Sequence, residues 1–197
     1  MSLKLAFDLD CVCVNTVDCV INYINERLPV NLKITDIKDY NIESALPEQY
    51  RWIVEESFNS AKMWKNVTLL PSCAEKLKQL YDEEYEICFA TSSLPQNLRK
   101  KINHLTRNLP FFPDDYVWLH TINIHDKYLL NVDILTDDCV KHIIHPERKY
   151  WSLAFDYPWN NKEEVDRTPC VTRVHNWDEV YSAIKMIESL IKENNNE

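Results

Sequence analysis

The chain of 197 residues contains no glycine. A dinucleotide-binding fingerprint and a P-loop both need glycine where the backbone approaches phosphate closely, so the sequence excludes both motifs. Any phosphate group that the protein binds must be held in another way. Because left-handed turn positions still have to be filled, we expect the plentiful Asn and Asp residues to take them.

The length and charge of the chain limit the kinds of protein to which it can belong. The length favours one core domain with a small insertion over two full domains. A formal net charge of -9 argues against a broad nucleic-acid surface, which needs clustered Lys and Arg. No stretch approaches the roughly 20 apolar residues that cross a bilayer, and no secretory signal pattern is present. We therefore predict a cytoplasmic protein with no membrane or nucleic-acid polymer partner.

Seven cysteines without a Cys-x-x-Cys spacing indicate reduced, mostly buried thiols rather than a disulfide framework. The sequence leaves the oligomeric state open, a homodimer included.

Predicted strands and helices alternate along most of the chain. Alternating apolar residues from Leu3 to Phe7 predict a first strand that ends at Asp8. Alternation of this kind is typical of an α/β fold, here a three-layer, Rossmann-like parallel sheet. The other predicted strands are 86–90, 116–120, 132–136, 151–155 and 171–174; the predicted helices are 16–28, 95–107, one opened by a capping box of Ser72 and Glu75, and a last one capped by Asn176 with Val180, Ile184, Ile187 and Ile191 on one face.

Residues 17–66 interrupt this alternation and form the predicted small helical cap. They are rich in aromatic residues among charges, with helical spacing from residue 48 to residue 58. Most of these rings are expected to pack inside the cap. Residues 1–16 and 67–197 then form the predicted catalytic core.

Polar side chains stand at the predicted strand ends, where sheets of this kind bind ligands. The first strand ends in Asp8-Leu9-Asp10, the second in Thr91-Ser92 and a later one in Asp137-Asp138, with Lys127 shortly before it. Four carboxylates on one rim would raise each other's pKa unless a cation lies among them. Oxygen ligands suit Mg²⁺, which also takes phosphate oxygens. Thr91, Ser92 and Lys127 add donors and charge for a phosphoryl group.

Two aspartates separated by one residue suggest that each has a different catalytic role. Asp8 could attack phosphorus to form an aspartyl-phosphate. Asp10 could then protonate the leaving alkoxide and later deprotonate water. Because enzymes must accelerate phosphate-monoester hydrolysis by up to about 10²¹-fold, nucleophile, metal ion and neutralising charges are needed together.

The order of these motifs resembles that of haloacid dehalogenase-like phosphatases. Residues 8–12 (DLDCV) are similar to the first motif of that superfamily, Thr91 to the second, Lys127 to the third and Asp137-Asp138 to the fourth. Within the superfamily the chain is most similar to the 5'(3')-deoxyribonucleotidases. That similarity extends over most of the core and is carried by residues 87–93 (ICFATSS), 126–138 (DKYLLNVDILTDD) and 176–179 (NWDE).

The resemblance implies a Mg²⁺-dependent phosphatase for deoxyribonucleoside 5'- or 3'-monophosphates. Asp8 would be the nucleophile and Asp10 the acid and base. Asp8, the main-chain carbonyl of Asp10 and Asp137 would bind Mg²⁺, with Asp138 supporting them from behind. Thr91, Ser92 and Lys127 would bind the phosphate, and Trp64 would contribute to a substrate pocket in the cap.

Two positions depart from the family pattern. Cys11 stands where the family usually has Gly, and Asn15 stands where it usually has Asp. Cys11 is expected to demand an ordinary backbone conformation and to add bulk beside the site.

Other interpretations stay open. A different small phosphomonoester, such as a sugar phosphate, is the nearest, because the cap matches the family mainly in position. A receiver-like signalling module also gathers acidic residues, a Thr and a Lys, and an inactive descendant could bind a partner instead. Cys139, His142 and His145 have a spacing that could suggest zinc, but steps of three spread round a helix and a fourth ligand is lacking. The run Arg99-Lys100-Lys101 is predicted to be a solvated helix face.

Overall fold

The computed structural model describes residues 2–194 and has a parallel sheet at its centre. Each neighbouring strand pair in this sheet is parallel, which confirms the predicted α/β class. The strands of the described chain are β1 (Lys4–Asp8), β2 (Glu86–Thr91), β3 (Thr121–Asn123), β4 (Ile134–Asp137), β5 (Trp151–Phe155) and β6 (Val171–Val174), in the order β3-β2-β1-β4-β5-β6.

The first strand lies in the middle of the sheet. Leu5 is paired with Ile87 of β2 on one side and with Ile134 of β4 on the other, and all three are at most 1% exposed. Parallel sheets need both faces covered, so such strands are apolar along their length. The strand order reverses direction between β1 and β4, which makes this the switch point where α/β sheets bind ligands.

Helices cover both sides of the sheet. The last one follows Asn176, whose Oδ1 accepts a 2.9 Å hydrogen bond from the Glu179 main-chain nitrogen, as predicted for its cap. No helix among residues 2–194 has both the length and the apolar character needed to cross a bilayer. The α-helices are α1 (Thr16–Asn25), α2 (Trp52–Asn59), α3 (Ala61–Asn66), α4 (Cys73–Asp82), α5 (Pro95–Asn108), α6 (Tyr116–Leu119), α7 (Val140–Ile143), α8 (Glu163–Arg167) and α9 (Trp177–Asn194), with 3₁₀ turns at Ile34–Asp36, Ile42–Ala45, Glu48–Tyr50 and Lys127–Leu129.

The region between β1 and α4 contains α1, three of the 3₁₀ turns, α2 and α3. The two connections that join this region to the sheet are tied together by Asn15. Its main-chain nitrogen donates to the Thr68 carbonyl at 3.1 Å, and its Oδ1 accepts from the Thr68 nitrogen at 2.8 Å. Asn15 therefore has a structural role. The division of the chain into a core and a cap at residues 17–66 stays a prediction.

The predicted strand over residues 116–120 is wrong, because these residues form α6 and the edge strand follows it at Thr121–Asn123. The Tyr116 hydroxyl donates to the Ile87 carbonyl at 2.9 Å, and its ring stacks on Phe112 and His120. Residues 116–120 therefore contact β2 and the segment that follows α5, and they do not form a strand.

The left-handed positions are not taken by Asn or Asp, contrary to expectation. Within the described residues, the positive φ angles belong to Cys11, Ser72, Glu84 and Cys170. At Ser72 the φ of 61° removes the predicted capping box, because a capping side chain needs an extended backbone to reach the first turn. Glu75 instead forms an ion pair with Lys76 at 3.3 Å.

The cysteines are mostly buried, as predicted. Five of the seven are buried: Cys11, Cys13, Cys19, Cys73 and Cys139.

Candidate active site

Three buried aspartates meet where β1 and β4 end. Asp8, Asp137 and Asp138 are at most 4% exposed, and each offers a carboxylate oxygen within 4.8 Å of those of the other two. Parallel strands present their carboxyl ends at one edge, so residues far apart in the sequence converge there.

Lys127 is a buried cation between two of these carboxylates. Its Nζ lies 2.8 Å from Oδ1 of Asp8 and 2.7 Å from Oδ2 of Asp137, and its side chain is 1% exposed. Burial alone would lower the pKa of Lys127, but the charges of Asp137 and Asp8 outweigh burial and hold this pKa above its ordinary value. The ammonium group therefore stays charged at physiological pH.

Asp137 has partners for both of its oxygens. Oδ1 accepts from the Cys139 main-chain nitrogen at 2.8 Å, while Oδ2 accepts from Lys127 and lies 3.1 Å from Nδ1 of His142. Burial alone would raise the pKa of Asp137, but Lys127 and then His142 hold it below its ordinary value. Asp137 is therefore an ionised carboxylate already satisfied by the protein.

Asp138 has one oxygen without a partner. Its Oδ2 accepts from Nε1 of Trp159 at 3.0 Å, but within residues 2–194 its buried Oδ1 receives no hydrogen bond. Burial, and then the charges of Asp8 and Asp137, raise the pKa of Asp138 well above its ordinary value. A buried acceptor left unpaired costs about 1–3 kcal/mol or more, so this oxygen fits a cation ligand. Both oxygens of Asp137 thus have partners in the protein, whereas Asp138 has an oxygen available for another partner.

Asp8 is held through one of its oxygens. Oδ1 accepts from the Leu9 main-chain nitrogen at 2.8 Å and from Lys127. Burial raises the pKa of Asp8 to about 6, with Asp137 and Asp10 adding to the rise and Lys127 opposing it. A nearby divalent cation would favour the ionised form that a nucleophile needs.

Asp10 is held by two side chains that the sequence analysis did not assign to it. Thr16 Oγ1 donates to Oδ1 at 2.7 Å, and Nζ of Lys101 contacts Oδ2. Lys101 also contacts Ser93 Oγ and lies 3.2 Å from Thr91 Oγ1. This lysine is 5% exposed, so the prediction of a solvated face at residues 99–101 is wrong for Lys101.

A signal for Lys101 was present in the sequence. Asn97, Lys101 and Leu105 are spaced by four residues along α5, and all three are buried. Side chains four apart share one helix face, so Lys101 belongs to the buried face rather than the exposed one.

The expectation of an ordinary backbone at Cys11 is also wrong. Its φ is 61°, it is 3% exposed, and its main-chain nitrogen donates to the Val14 carbonyl at 2.8 Å. Trp177 Nε1 fastens the same loop by donating to the Val12 carbonyl at 2.8 Å. Cys11 therefore takes the left-handed conformation for which glycine is suited, at a cost of about 1–2 kcal/mol.

A cavity of about 460 Å³ extends from Asp10 and Asp138 toward residues 37–59. Asp10, Cys11, Ser92, Lys101, Asp138 and Trp159 line one part of it. Trp64 is not among its lining residues, whereas Phe58 is, and Nε1 of Trp64 donates to the Phe58 carbonyl at 2.7 Å.

The zinc interpretation has no support in the described part of the chain. The ring of His142 lies between Asp137 and the His125 carbonyl, and the ring of His145 stacks on Tyr128. Among residues 2–194 the three aspartates are the group that could hold a metal ion.

Comparisons with known proteins identify the family of the chain. A family model described as "5' nucleotidase, deoxy (Pyrimidine), cytosolic type C protein" matches residues 2–190. A putative 5'(3')-deoxyribonucleotidase of Staphylococcus epidermidis is 27% identical over 187 residues, which cover 94% of this chain and 97% of that protein. The 5'(3')-deoxyribonucleotidase of Bacillus subtilis is 26% identical over 185 residues, with 91% and 97% covered.

Solved structures show the same fold. A haloacid dehalogenase family hydrolase from Deinococcus radiodurans has a TM-score of 0.65 at 17% identity, with 95% of this chain and 96% of that chain covered. A predicted phosphatase from Clostridium acetobutylicum has a TM-score of 0.64 at 14% identity, with 94% and 99% covered. Since the family model spans nearly the whole chain, the protein belongs to the deoxy, cytosolic type C 5'-nucleotidase family and is a phosphoric monoester hydrolase of the haloacid dehalogenase-like superfamily.

Proposed function

We propose that this hydrolase removes the phosphate group from deoxyribonucleoside 5'- or 3'-monophosphates through an aspartyl-phosphate intermediate, with Mg²⁺ as cofactor. The observation that carries the proposal is the unpaired Oδ1 of Asp138 beside the Asp8 carboxylate, at the mouth of a cavity large enough for a small ligand. The names of the relatives support the nucleotide substrate. The cytoplasm as compartment and a homodimer stay predictions.

The metal site that we propose differs from the one that the resemblance implied. Asp8, Asp138 and the main-chain carbonyl of Asp10 would hold the ion, while Asp137 keeps Lys127 in place. Oxygen ligands alone, few of them from the protein, suit Mg²⁺. When bound, the ion supplies positive charge to the phosphoryl oxygens as the transition state develops.

The side chains divide the chemistry between two displacements. In the first, the Asp8 carboxylate forms a bond to phosphorus as the ester P–O bond breaks, and Asp10 gives its proton to the leaving alkoxide oxygen. In the second, Asp10 removes a proton from water, the water oxygen attacks phosphorus, and the bond to Asp8 breaks. Inorganic phosphate and a free nucleoside leave, and both carboxyl groups return to their starting states.

Cationic and hydroxyl side chains hold the phosphoryl group during both steps. Lys127, Thr91 and Ser92 are the phosphate ligands that we predicted, and Lys101 joins them because its Nζ lies between Asp10 and the Thr91 hydroxyl. Donors fixed before the reaction stabilise developing charge without having to reorganise.

Tyr40 lines the cavity that contains Asp10 and Asp138. About half of this residue is exposed, but burial of its hydroxyl, and then the charges of Asp138 and Asp8, raise its pKa above the ordinary value. The phenol therefore stays protonated and can donate a hydrogen bond over the site. Closure around a substrate would strengthen the electrostatic interactions inside.

A substrate panel tests this function. Phosphate release, measured by malachite green, is compared for deoxyribonucleotides, ribonucleotides and sugar phosphates, with and without EDTA. We expect deoxyribonucleoside monophosphates to have the highest kcat/KM, EDTA to abolish turnover, and Asp8→Asn to lose activity by at least about 10³-fold. A preference for a sugar phosphate would contradict the nucleotidase proposal and leave the phosphatase in place.

A further inference from the structure

His142 is a buried side chain that the proposed chemistry does not use. It lies in α7 and is 5% exposed. Its Nδ1 lies 3.1 Å from Oδ2 of Asp137, and its Nε2 lies 3.2 Å from the main-chain carbonyl oxygen of His125. A carbonyl oxygen and an ionised carboxylate can only accept hydrogen bonds, so both ring nitrogens donate. His142 therefore joins the carboxyl end of β4 to the loop that precedes Lys127.

Helix α7 gives His142 a fixed position. The main-chain carbonyl of His142 accepts from the Tyr150 hydroxyl at 3.1 Å, and that of Ile143 accepts from the Ser152 hydroxyl at 2.8 Å. Tyr150 and Ser152 are at most 3% exposed. Hydrogen bonds between buried groups are costly to break, because the groups left behind have no water to replace the partner. The end of α7 is therefore fastened to β5 and to the residue before it.

The loop that His142 contacts is also fixed on either side of His125. Before it, the Ile124 main-chain nitrogen donates to the Thr91 carbonyl at 2.8 Å, at the end of β2. After it, Lys127 begins the 3₁₀ turn Lys127–Leu129, and its carbonyl accepts from the Leu130 nitrogen at 3.0 Å. The His125 carbonyl lies between these two anchors, where the ring of His142 holds it.

These contacts close a ring that passes through Lys127. The ring runs from the His125 carbonyl through His142 to Asp137. It continues from Oδ2 of Asp137 to Nζ of Lys127 at 2.7 Å and returns along the chain to His125. In such a network each hydrogen bond restricts the geometry of the others. Lys127 is thereby held with its Nζ 2.8 Å from Oδ1 of Asp8.

His125 also contacts a second predicted phosphate ligand. Its Nδ1 lies 3.3 Å from Oγ of Ser92, and its Nε2 lies 3.0 Å from Nζ of Lys141 in α7. An ammonium group only donates, so Nε2 accepts and Nδ1 donates to Ser92. The hydroxyl hydrogen of Ser92 is then available for a phosphate oxygen. Helix α7 thus holds His125 by its carbonyl and by its ring.

We propose, on the basis of the proposed function, that His142 is a positioning residue that holds Lys127 in place for the phosphoryl group. The described residues that line the cavity do not include His142, so it acts through Lys127 rather than on the substrate. Lys127 is useful only where its charge meets the phosphoryl oxygens. A shift of about 1 Å in such a group can cost about 10²-fold in rate.

A double-mutant cycle with Lys127 tests this role. kcat/KM for p-nitrophenyl phosphate with Mg²⁺ is measured for wild type, His142→Gln, Lys127→Met and the double variant. This substrate is chosen because its leaving group needs no proton from Asp10, so the rate reports the phosphoryl transfer itself. We expect His142→Gln to lower kcat/KM by about 10- to 100-fold in the wild-type background. It should lower kcat/KM by less than about 2-fold where Lys127 is already replaced, because residues that act through one another are not additive.

A second substitution separates the two contacts of the ring. His142→Gln keeps a donor near the position of Nε2, toward His125, whereas His142→Asn keeps one near Nδ1, toward Asp137. Since the ring of contacts needs both, His142→Asn should also lose about 10-fold or more. His104→Gln is the control and should match wild type, since Nε2 of His104 lies 3.3 Å from Nδ2 of Asn108 within α5. Circular dichroism checks that each variant is folded.

Each outcome decides between the roles. An equal loss from His142→Gln in both backgrounds, or no loss in either, would overturn the positioning role and leave the proposed function intact. Full activity of His142→Asn beside a loss in His142→Gln would overturn the part assigned to the loop. Wild-type kcat/KM in Lys127→Met would overturn Lys127 as a phosphate ligand, and with it both this inference and that part of the proposed function.

Discussion

The indole nitrogen of Trp159 donates a 3.0 Å hydrogen bond to Oδ2 of Asp138, while the buried Oδ1 of the same carboxylate has no partner among residues 2–194. The next residue, Asn160, donates to the Asp138 main-chain carbonyl at 2.9 Å and to the Phe155 carbonyl at 2.7 Å. The loop after β5 thus fixes both the backbone and the carboxylate of Asp138. Partners of this kind orient metal ligands and strengthen metal binding.

We predict that Trp159→Phe weakens Mg²⁺ binding by about 10- to 100-fold, because the ring packing is kept while the hydrogen bond to Asp138 is lost. Titration calorimetry of the metal alone measures this, without substrate. Trp52→Phe is the control, since Trp52 is 54% exposed. Equal Mg²⁺ affinity in the two variants would show that Trp159 does not position Asp138.

Lys101→Met should lower kcat/KM by about 10²- to 10³-fold, because a fixed cation beside Asp10 and Thr91 is removed from the phosphate site. Arg99→Met, an exposed position of the same helix, should keep its activity. Malachite-green kinetics with the preferred substrate give both values, and circular dichroism checks the fold. A similar loss in both variants would assign the effect to α5 rather than to the site.

The left-handed backbone at Cys11 predicts opposite outcomes for two substitutions. Cys11→Gly is expected to be close to neutral in stability, because relief of the strained φ offsets lost burial and greater freedom of the unfolded chain. Cys11→Val should be less stable than Cys11→Gly by about 1–3 kcal/mol, since a β-branched side chain is disfavoured there. Urea unfolding measures both. Equal stability would mean that the loop changes conformation to accept valine.

The lowered pKa of Glu188 predicts how the stability of the protein changes in acid. Its hydrogen bonds from Lys192 and then Tyr85, at 2.8 and 2.7 Å, lower its pKa to about 2. A lowered pKa in the folded state stabilises the protein above the ordinary pKa near 4.5, and this contribution is lost as the pH falls from 4.5 toward 2. Glu188→Gln should therefore lower the free energy of unfolding by about 1 kcal/mol at pH 7 and by less at pH 3.

Urea unfolding at the two pH values checks this prediction, with Glu193→Gln as the control on an exposed position of α9. A difference from wild type that is the same at both pH values would show that the Glu188 carboxylate is not the titrating group.

Local sequence patterns were sufficient to predict much of the sheet. The strands at 151–155 and 171–174 have the predicted bounds, and Val180, Ile184 and Ile187 are fully buried on one face of α9. These features follow from hydrophobic periodicity, which a single segment carries in full. The same reasoning failed at residues 116–120, where a short apolar run is compatible with a strand or a helix until its neighbours are known.

The sequence by itself determined the α/β class, the order of the motifs and the acidic strand ends. Only the tertiary structure decided which carboxylate keeps an oxygen without a partner among residues 2–194, and that Lys101 contacts Asp10. It also decided that Cys11 takes a left-handed backbone and that Phe58 rather than Trp64 lines the cavity. Composition and spacing specify which groups a segment carries. The direction and partners of each side chain depend on contacts between segments far apart in the chain, as between Trp159 and Asp138.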